Sequence, residues 1–315
     1  MPNKVDLADK LYHDATIHAL VYEAFDQTSV ISKHEILIPT MKCWMQPGFD
    51  SWSAYRDSLP PHLQESGYAI LSQRIFPLPA VTREALIETY CPIKFIRQAK
   101  KDVNNKDCLV RIYLGRREVN KRRAESQFSL RNFGLLVNEM EKLEMDTALL
   151  ARTMATALSV LHWKAGVDGN DVEFVIGSKP FERTRPSAAE LESTSKDGVE
   201  HSRHDLDFRK RINHIWLLDF GECSKFKVEA SDGWVTKLVN AFYVNDPYYP
   251  RPISELNADI SLWRTFKTTY LEASAHFTSS DAPQKFITAV EKEGINRRKM
   301  VAIQGTDSLL GTLIR

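Results

Sequence analysis

Apolar residues recur at helical spacing near both ends of the chain and at strand spacing in its middle. In "DLADKLYHDATIHALVYEAFD" (6–26), Leu7, Leu11, Ile17, Val21 and Phe25 fall near one face, which predicts an amphipathic helix. "EILIPTMKCWM" (35–45) and "YAILSQRIF" (68–76) have the β-branched and aromatic content of strands, separated by a turn-prone stretch rich in Pro, Ser and Gly. "TREALIETYC" (82–91) predicts a short helix begun by Thr82 and ended by Pro92. "DCLVRIYLG" (107–115) predicts a buried strand, followed by the basic run "RREVNKRR" (116–123). From Leu130 to about Lys164 the spacing is helical, with a break near "LEMD" where Asp146 can cap a second helix. "VEFVIG" (172–177) and "HIWLLDF" (214–220) predict strands, and the polar stretch 178–210 between them predicts a mobile insertion. Three helices follow over 233–242, 253–277 and 282–294, with the Pro-stiffened aromatic loop "YVNDPYYPRP" (243–252) between the first two and a frayed tail from 301 to 315.

Composition narrows the function classes. A chain of 315 residues with 43% hydrophobic content can bury one large core or two small ones. Its 42 Lys and Arg against 41 Asp and Glu leave a net charge of +1, so nucleic acid or membrane can be held only by a local patch. The four cysteines are Cys43, Cys91, Cys108 and Cys223, and they form no close pair. A structural zinc site needs such pairs, so a zinc finger is not expected. No apolar run reaches membrane-spanning length and no signal peptide is recognisable, so a reduced cytoplasmic protein is the expectation.

Chemistry concentrates in "VDGNDVEFVIG" (167–177), where Asp168, Asp171 and Glu173 fall within six residues. The order of elements is that of a protein kinase or aminoglycoside phosphotransferase, with this stretch at the catalytic loop and "WLLDFG" supplying a DFG-like Asp219. Glu173 stands where a magnesium-binding Asn belongs, and no GxGxxG loop precedes a strand lysine. ATP-dependent phosphoryl transfer therefore lacks its phosphate-binding parts.

"DCLVRIYLGRRE", "SLRNFGLLVNEMEKLEMD", "LSVLHWKAGVDGNDVEFVIGS", "IWLLDFGEC" and "YVNDPYYPRP", in that order, resemble a group of fungal proteins often mislabelled zinc finger protein, some of which are arginine-containing cyclodipeptide synthases. The resemblance implies condensation of arginyl-tRNA with a second aminoacyl-tRNA to a cyclo(Arg-X) diketopiperazine. It implies no ATP, metal or other cofactor, because the aminoacyl ester is already activated. It also places the acidic motif of that group on Asp168, Asp171 and Glu173.

The residues themselves suit a cationic substrate. A carboxylate fork matches the planar guanidinium in bidentate geometry, and a carboxylate of raised pKa can take the proton of an attacking α-amine. Asp168 and Asp171 can equally cap a tight turn while Glu173 pairs with an arginine. His162 can shuttle a proton or serve only as a helix-end partner, and Asp219 and Glu222 can wall the same pocket. For tRNA, the best basic patch is Arg116, Arg117, Lys121, Arg122 and Arg123, with Lys100 and Lys101 second. Tyr248 or Tyr249 can stack a 3′ adenine, or the loop that carries them can pack on the core.

The expected fold is α+β, kinase-like and two-lobed. It has a reduced N-terminal lobe over 1–115 and a mostly helical C-terminal lobe over 116–300. The rival function is a non-catalytic, pseudokinase-like interaction module, with small-molecule phosphotransfer third.

Overall fold

The computed structural model describes residues 4–30, 36–48, 50–65, 67–117, 128–182, 192–193, 206–245 and 247–313. Its fold is α+β. The opening helix, α1 (Lys4–Asp26), buries Ile17, Val21 and Phe25 of the apolar stripe read from the sequence, together with Ala15 and Ala24, while its first turns leave Leu7 exposed. Pro39 interrupts the next apolar stretch, which splits into β1 (Ile36–Leu37) and β2 (Met41–Met45). The two serve different sheets: β2 pairs antiparallel with β3 (Ala69–Ser72), whereas β1 joins the main sheet. The turn-prone stretch between β2 and β3 contains a short helix, α2 (Ser51–Arg56).

Helix α3 (Ala80–Tyr90) begins two residues before Thr82, directly after Pro79, whose fixed φ suits the residue preceding a helix. A short α4 (Ile96–Lys101) leads to β4 (Val110–Tyr113). The segment after Leu130 differs from its helical expectation. Phe133–Leu136 forms β5, parallel to β4, before the chain turns into α5 (Val137–Lys142). Phe133 and Leu135 are buried in this strand, so pairing with β4 overrides the helical spacing. Asp146 caps α6 (Thr147–Ser159) as expected, its side chain accepting from the Leu149 amide at 2.8 Å.

The main sheet has the order β1-β7-β6-β4-β5, where β6 is Glu173–Glu182 and β7 is Leu206–Leu218. β6 and β7 form a long antiparallel hairpin, with Glu173 opposite Leu218 and Val175 opposite Trp216. Residues 178–182 and 206–210, expected within a mobile insertion, are thus strand. The middle of that stretch lies outside the described residues apart from 192–193. β1 and β4, from the N-terminal side of residue 115, pair with β7 and β6 from the C-terminal side, so one sheet crosses the boundary the sequence suggests.

Three helices close the chain: α7 (Gly233–Val244), α8 (Asn257–Ser274) and α9 (Ala282–Leu313). α9 runs through the segment expected to fray, since no proline follows Pro283 to stop it. The principal core lies between the sheet and the helices and contains Phe174, Leu217, Met154, Leu158, Phe266 and Phe286. β6 is buried on both faces, because Val175 on the Glu173 side is as inaccessible as Phe174 on the other. Among the described residues, no helix is long and apolar enough to cross a membrane.

Candidate functional site

The loop between α6 and β6 divides into two halves of opposite character. Its inner half is a π-helical turn, Val160–Ala165, closed by Gly166 at φ 69°. His162 is 2% exposed and ringed by Trp163, Phe226, Tyr270 and Phe286. Trp163 Nε1–H can only donate, and it reaches the Tyr270 hydroxyl at 2.8 Å. The Asp168 carbonyl, 3.4 Å from His162 Nε2, can only accept, so Nε2 carries the proton of the neutral ring and Nδ1 accepts from the Tyr270 hydroxyl at 2.8 Å. Burial pushes this imidazole down to about 3, so it stays neutral. The shuttle role expected of His162 is corrected: both nitrogens are engaged and the ring has no route to solvent.

Asp168 belongs to the same inner half. Its Oδ1 accepts from the amides of Asn170 at 3.2 Å and Ser224 at 2.8 Å, and its Oδ2 lies 3.5 Å from Lys237 Nζ. Its own amide donates to the Ser224 carbonyl at 3.0 Å. At 4% exposure, with one carboxylate oxygen taken by two amides and the other facing Lys237, Asp168 ties its loop to the turn after β7. The turn-holding reading describes it, and a substrate role does not.

The outer half is less satisfied: among the described residues Glu173 is paired and Asp171 is not. Asp171 is exposed, sits at φ 59°, and makes no hydrogen bond or ion pair with a described residue. Asp219, where β7 ends, sits at φ 69°. Only four non-glycine residues described here adopt positive φ, and two of them carry these carboxylates. Left-handed backbone is tolerated by Asp but still costs energy, and such positions gather at sites where geometry matters. Glu173 pairs with Arg111 of β4, both half-buried.

Burial, first, and then the charges of neighbouring acids raise two of these groups. For Glu173 burial is countered by Arg111, while Asp219 and Asp171 push upward. For Asp219 partial burial leads, followed by Asp171, Asp14 and Glu222, against Arg111. Asp14 on α1 is also raised by burial, with His18 and His13 opposing. Asp14 faces Gly221, where an added Cβ would lie 3.6 Å from its carboxyl carbon. Five carboxylates, Asp14, Asp171, Glu173, Asp219 and Glu222, thus share one electrostatic neighbourhood in which Arg111 is the recurring counter-charge.

A cleft of about 640 Å³ opens beside this cluster between α1 and the 221–224 turn, walled by Asp9, Lys10, His13, Asp14, Glu222 and Ser224; Asp171, Glu173 and Asp219 do not line it. Asp14 and Arg111 escaped the sequence reading. The available signal was a polar residue inside an apolar stripe: Asp14 and His18 interrupt the spacing of Leu7, Leu11, Val21 and Phe25.

The tRNA candidates fare differently. Tyr248 and Tyr249 are 7% and 3% exposed and pack on Phe174, with Tyr249 stacked on Phe242 at 4.8 Å. Stacking on a nucleotide base is corrected to core packing. The backbone there also docks onto β4, Leu114 and Gly115 donating to the carbonyls of Tyr248 and Pro247, which leaves no room for a Cβ at Gly115. Arg117 forks onto Glu141 at 2.6 and 2.7 Å and reaches Asp259 at 2.7 Å, so its charge is spent within the protein rather than on phosphate. Lys100 is paired with Glu88 at 2.6 Å. Arg116 is exposed; Lys121, Arg122 and Arg123 lie outside the described residues.

Comparison with known proteins adds one finding. The match is to a family described as "Zinc finger protein", over residues 215–282. It spans less than a quarter of the chain, from β7 to the start of α9. No curated protein and no solved structure matches. This corrects the resemblance drawn from the motifs. The match shares a label with that fungal group but carries nothing of arginine-containing cyclodipeptide synthases, so membership among them does not stand. The matched segment holds one cysteine, Cys223, and one histidine, His276. Cys223 is buried and its thiol donates to the Asn170 carbonyl, while His276 is exposed. Among the described residues no three His, Cys, Asp or Glu side chains group as metal ligands.

Proposed function

We propose that the protein is an aminoacyltransferase that condenses an arginyl group from arginyl-tRNA with a second aminoacyl-tRNA, giving a cyclo(Arg-X) diketopiperazine. The observation that carries the proposal is the gathering of five carboxylates, Asp14, Asp171, Glu173, Asp219 and Glu222, around Arg111 beside the 640 Å³ cleft, of which Asp14 and Glu222 are walls. Asp171 and Glu222 are the exposed pair available to a guanidinium, whose fork of donors a carboxylate meets with two parallel bonds. Asp219 and Asp14, raised by burial, are suited to take a proton from an α-ammonium and so free its lone pair. Each of the two condensations then forms one N–C bond and breaks one ester C–O bond. The departing tRNA hydroxyl takes the proton, so no oxidant or nucleotide is consumed. Contact with tRNA is assigned to Arg116 and the basic run that follows it, in the cytoplasm where charged tRNAs are held.

A kinase-like, two-lobed ancestry is supported by the order of helix, acidic loop, β6–β7 hairpin and DFG-like turn, with Phe220 buried beside His18. Glu173 on Arg111, where such a scaffold needs a metal ligand, favours a cationic substrate over ATP.

The test is expression in a host with its own charged tRNAs, followed by mass spectrometry for arginine-containing diketopiperazines. Product is expected from the wild type and at least about tenfold less from Asp171→Ala. A folded wild-type protein that yields none rejects the proposal. The second reading, a non-catalytic interaction module, is favoured by the consumption of Arg117, His162 and Asp168 in internal contacts, and it expects no product from any variant.

A further inference from the structure

A second cavity, of about 180 Å³, lies between α1, β1, β6 and β7. We propose that it binds a small apolar carboxylate. About half of the wall is apolar: Tyr22 and Phe25 from α1, with Ile36 and Ile38 from β1 and its end. A cavity of roughly 150 Å³ accepts a benzene ring, so this one accommodates a ring or branched chain with a short acid arm.

The polar groups in the lining decide the charge of the occupant. Trp216 is 1% exposed, and its indole Nε1–H is buried in the wall with no hydrogen-bond partner among the described residues. An indole can only donate, so what it lacks is an acceptor. Buried donors in folded proteins are nearly always paired, so an acceptor brought against this wall by an occupant would meet an unfilled need of Trp216. Lys179 on β6 also lines the cavity, and among the described residues its ammonium forms no ion pair. Gln73 spends its carboxamide oxygen on Thr40, accepting from the amide at 3.2 Å and the hydroxyl at 3.3 Å. Its remaining polar group is an NH2, again a donor. Asp26, the acid in the lining, already has a partner. Apart from the Tyr22 hydroxyl, which can act either way, and the Thr40 hydroxyl oxygen, which can accept, the unspent side-chain groups are donors and one of them is cationic. An anion with an apolar body fits them, and a cation does not.

This site goes beyond the arginyl reading and does not depend on it. Trp216 projects from the same face of the sheet as Glu173, two positions farther along the hairpin, so the two sites are neighbours with opposite charge preference.

The full-length protein is titrated by calorimetry with phenylacetate, 4-methylpentanoate, uncharged phenylacetamide and cationic benzylammonium. Saturable binding is expected for one or both acids, weaker binding for the amide and none for the ammonium. Lys179→Met, at a half-buried position, is expected to weaken the acids about tenfold, and Trp216→Phe several-fold. Asp171→Ala is expected to leave them unchanged, which separates this site from the acidic cleft. The proposal is overturned if neither acid binds at millimolar concentration, if benzylammonium binds as tightly, or if neither Lys179→Met nor Trp216→Phe alters the affinity.

Discussion

Asp168 and Asp171 are three residues apart on one loop and identical in chemistry, yet their surroundings assign them opposite work. Asp168 accepts two backbone N–H bonds and faces Lys237, so its charge is consumed in holding the loop to the turn after β7. Asp171 stands in left-handed backbone at the surface, with acids rather than bases around it. The inner half of the loop, with His162 locked by Tyr270, is what a fold needs; the outer half is what a ligand needs. Whether a carboxylate is satisfied within the protein, rather than its place in a motif, separates structure from site.

The largest expected effect tests the inner half by pH. His162 has an ordinary value of 6.5 and a folded value of about 3, so between those limits the unfolded chain binds the extra proton. Stability contributed by the neutral ring is full above pH 6.5 and is lost as pH falls toward 3, by on the order of 4 kcal/mol. Urea unfolding at stepped pH should show this slope, and a flat profile through that window would remove His162 from the interior.

Next in size is Asp168→Ala, which leaves the amides of Asn170 and Ser224 without their acceptor. A loss of about 2–3 kcal/mol is expected in denaturant unfolding. A variant as stable as the wild type would place Asp168 with the functional half instead.

The smallest effect has the opposite sign. Asp219 has a raised pKa, so its protonated form favours the fold, and that contribution is lost as pH rises through the folded value. Asp219→Asn removes a repelled charge from an exposed position. It should leave stability at pH 7 unchanged or higher by less than about 1 kcal/mol, as a thermal melt would show. Destabilisation beyond that amount would mean that Asp219, like Asp168, holds a turn.

Much of the fold was legible because burial writes itself into spacing. The stripe of Ile17, Val21 and Phe25, the cap at Asp146 and the alternation in 172–177 each mark an element that exists. The strand at Phe133–Leu136 was hidden because four residues continuous with a helix carry no period of their own, and only pairing with β4 reveals them. At the site, the acidic motif was visible but its division was not. A sequence cannot show that the Ser224 amide, 56 residues away, completes Asp168, or that Arg111 faces Glu173. Tyr248 and Tyr249 misled for a related reason: an aromatic loop that binds a base and one that seals a core have the same composition, and burial distinguishes them.

The central claim is that the outer carboxylates form a site for an arginyl cation. Calorimetric titration of the wild-type protein with arginine amide, beside citrulline amide of nearly the same shape but without the guanidinium charge, tests it most directly. Arginine amide should bind at least about tenfold more tightly than citrulline amide, and Asp171→Ala should erase that preference while shifting stability by less than about 0.5 kcal/mol. Equal affinity for the two amides, or a preference that survives Asp171→Ala, would contradict it.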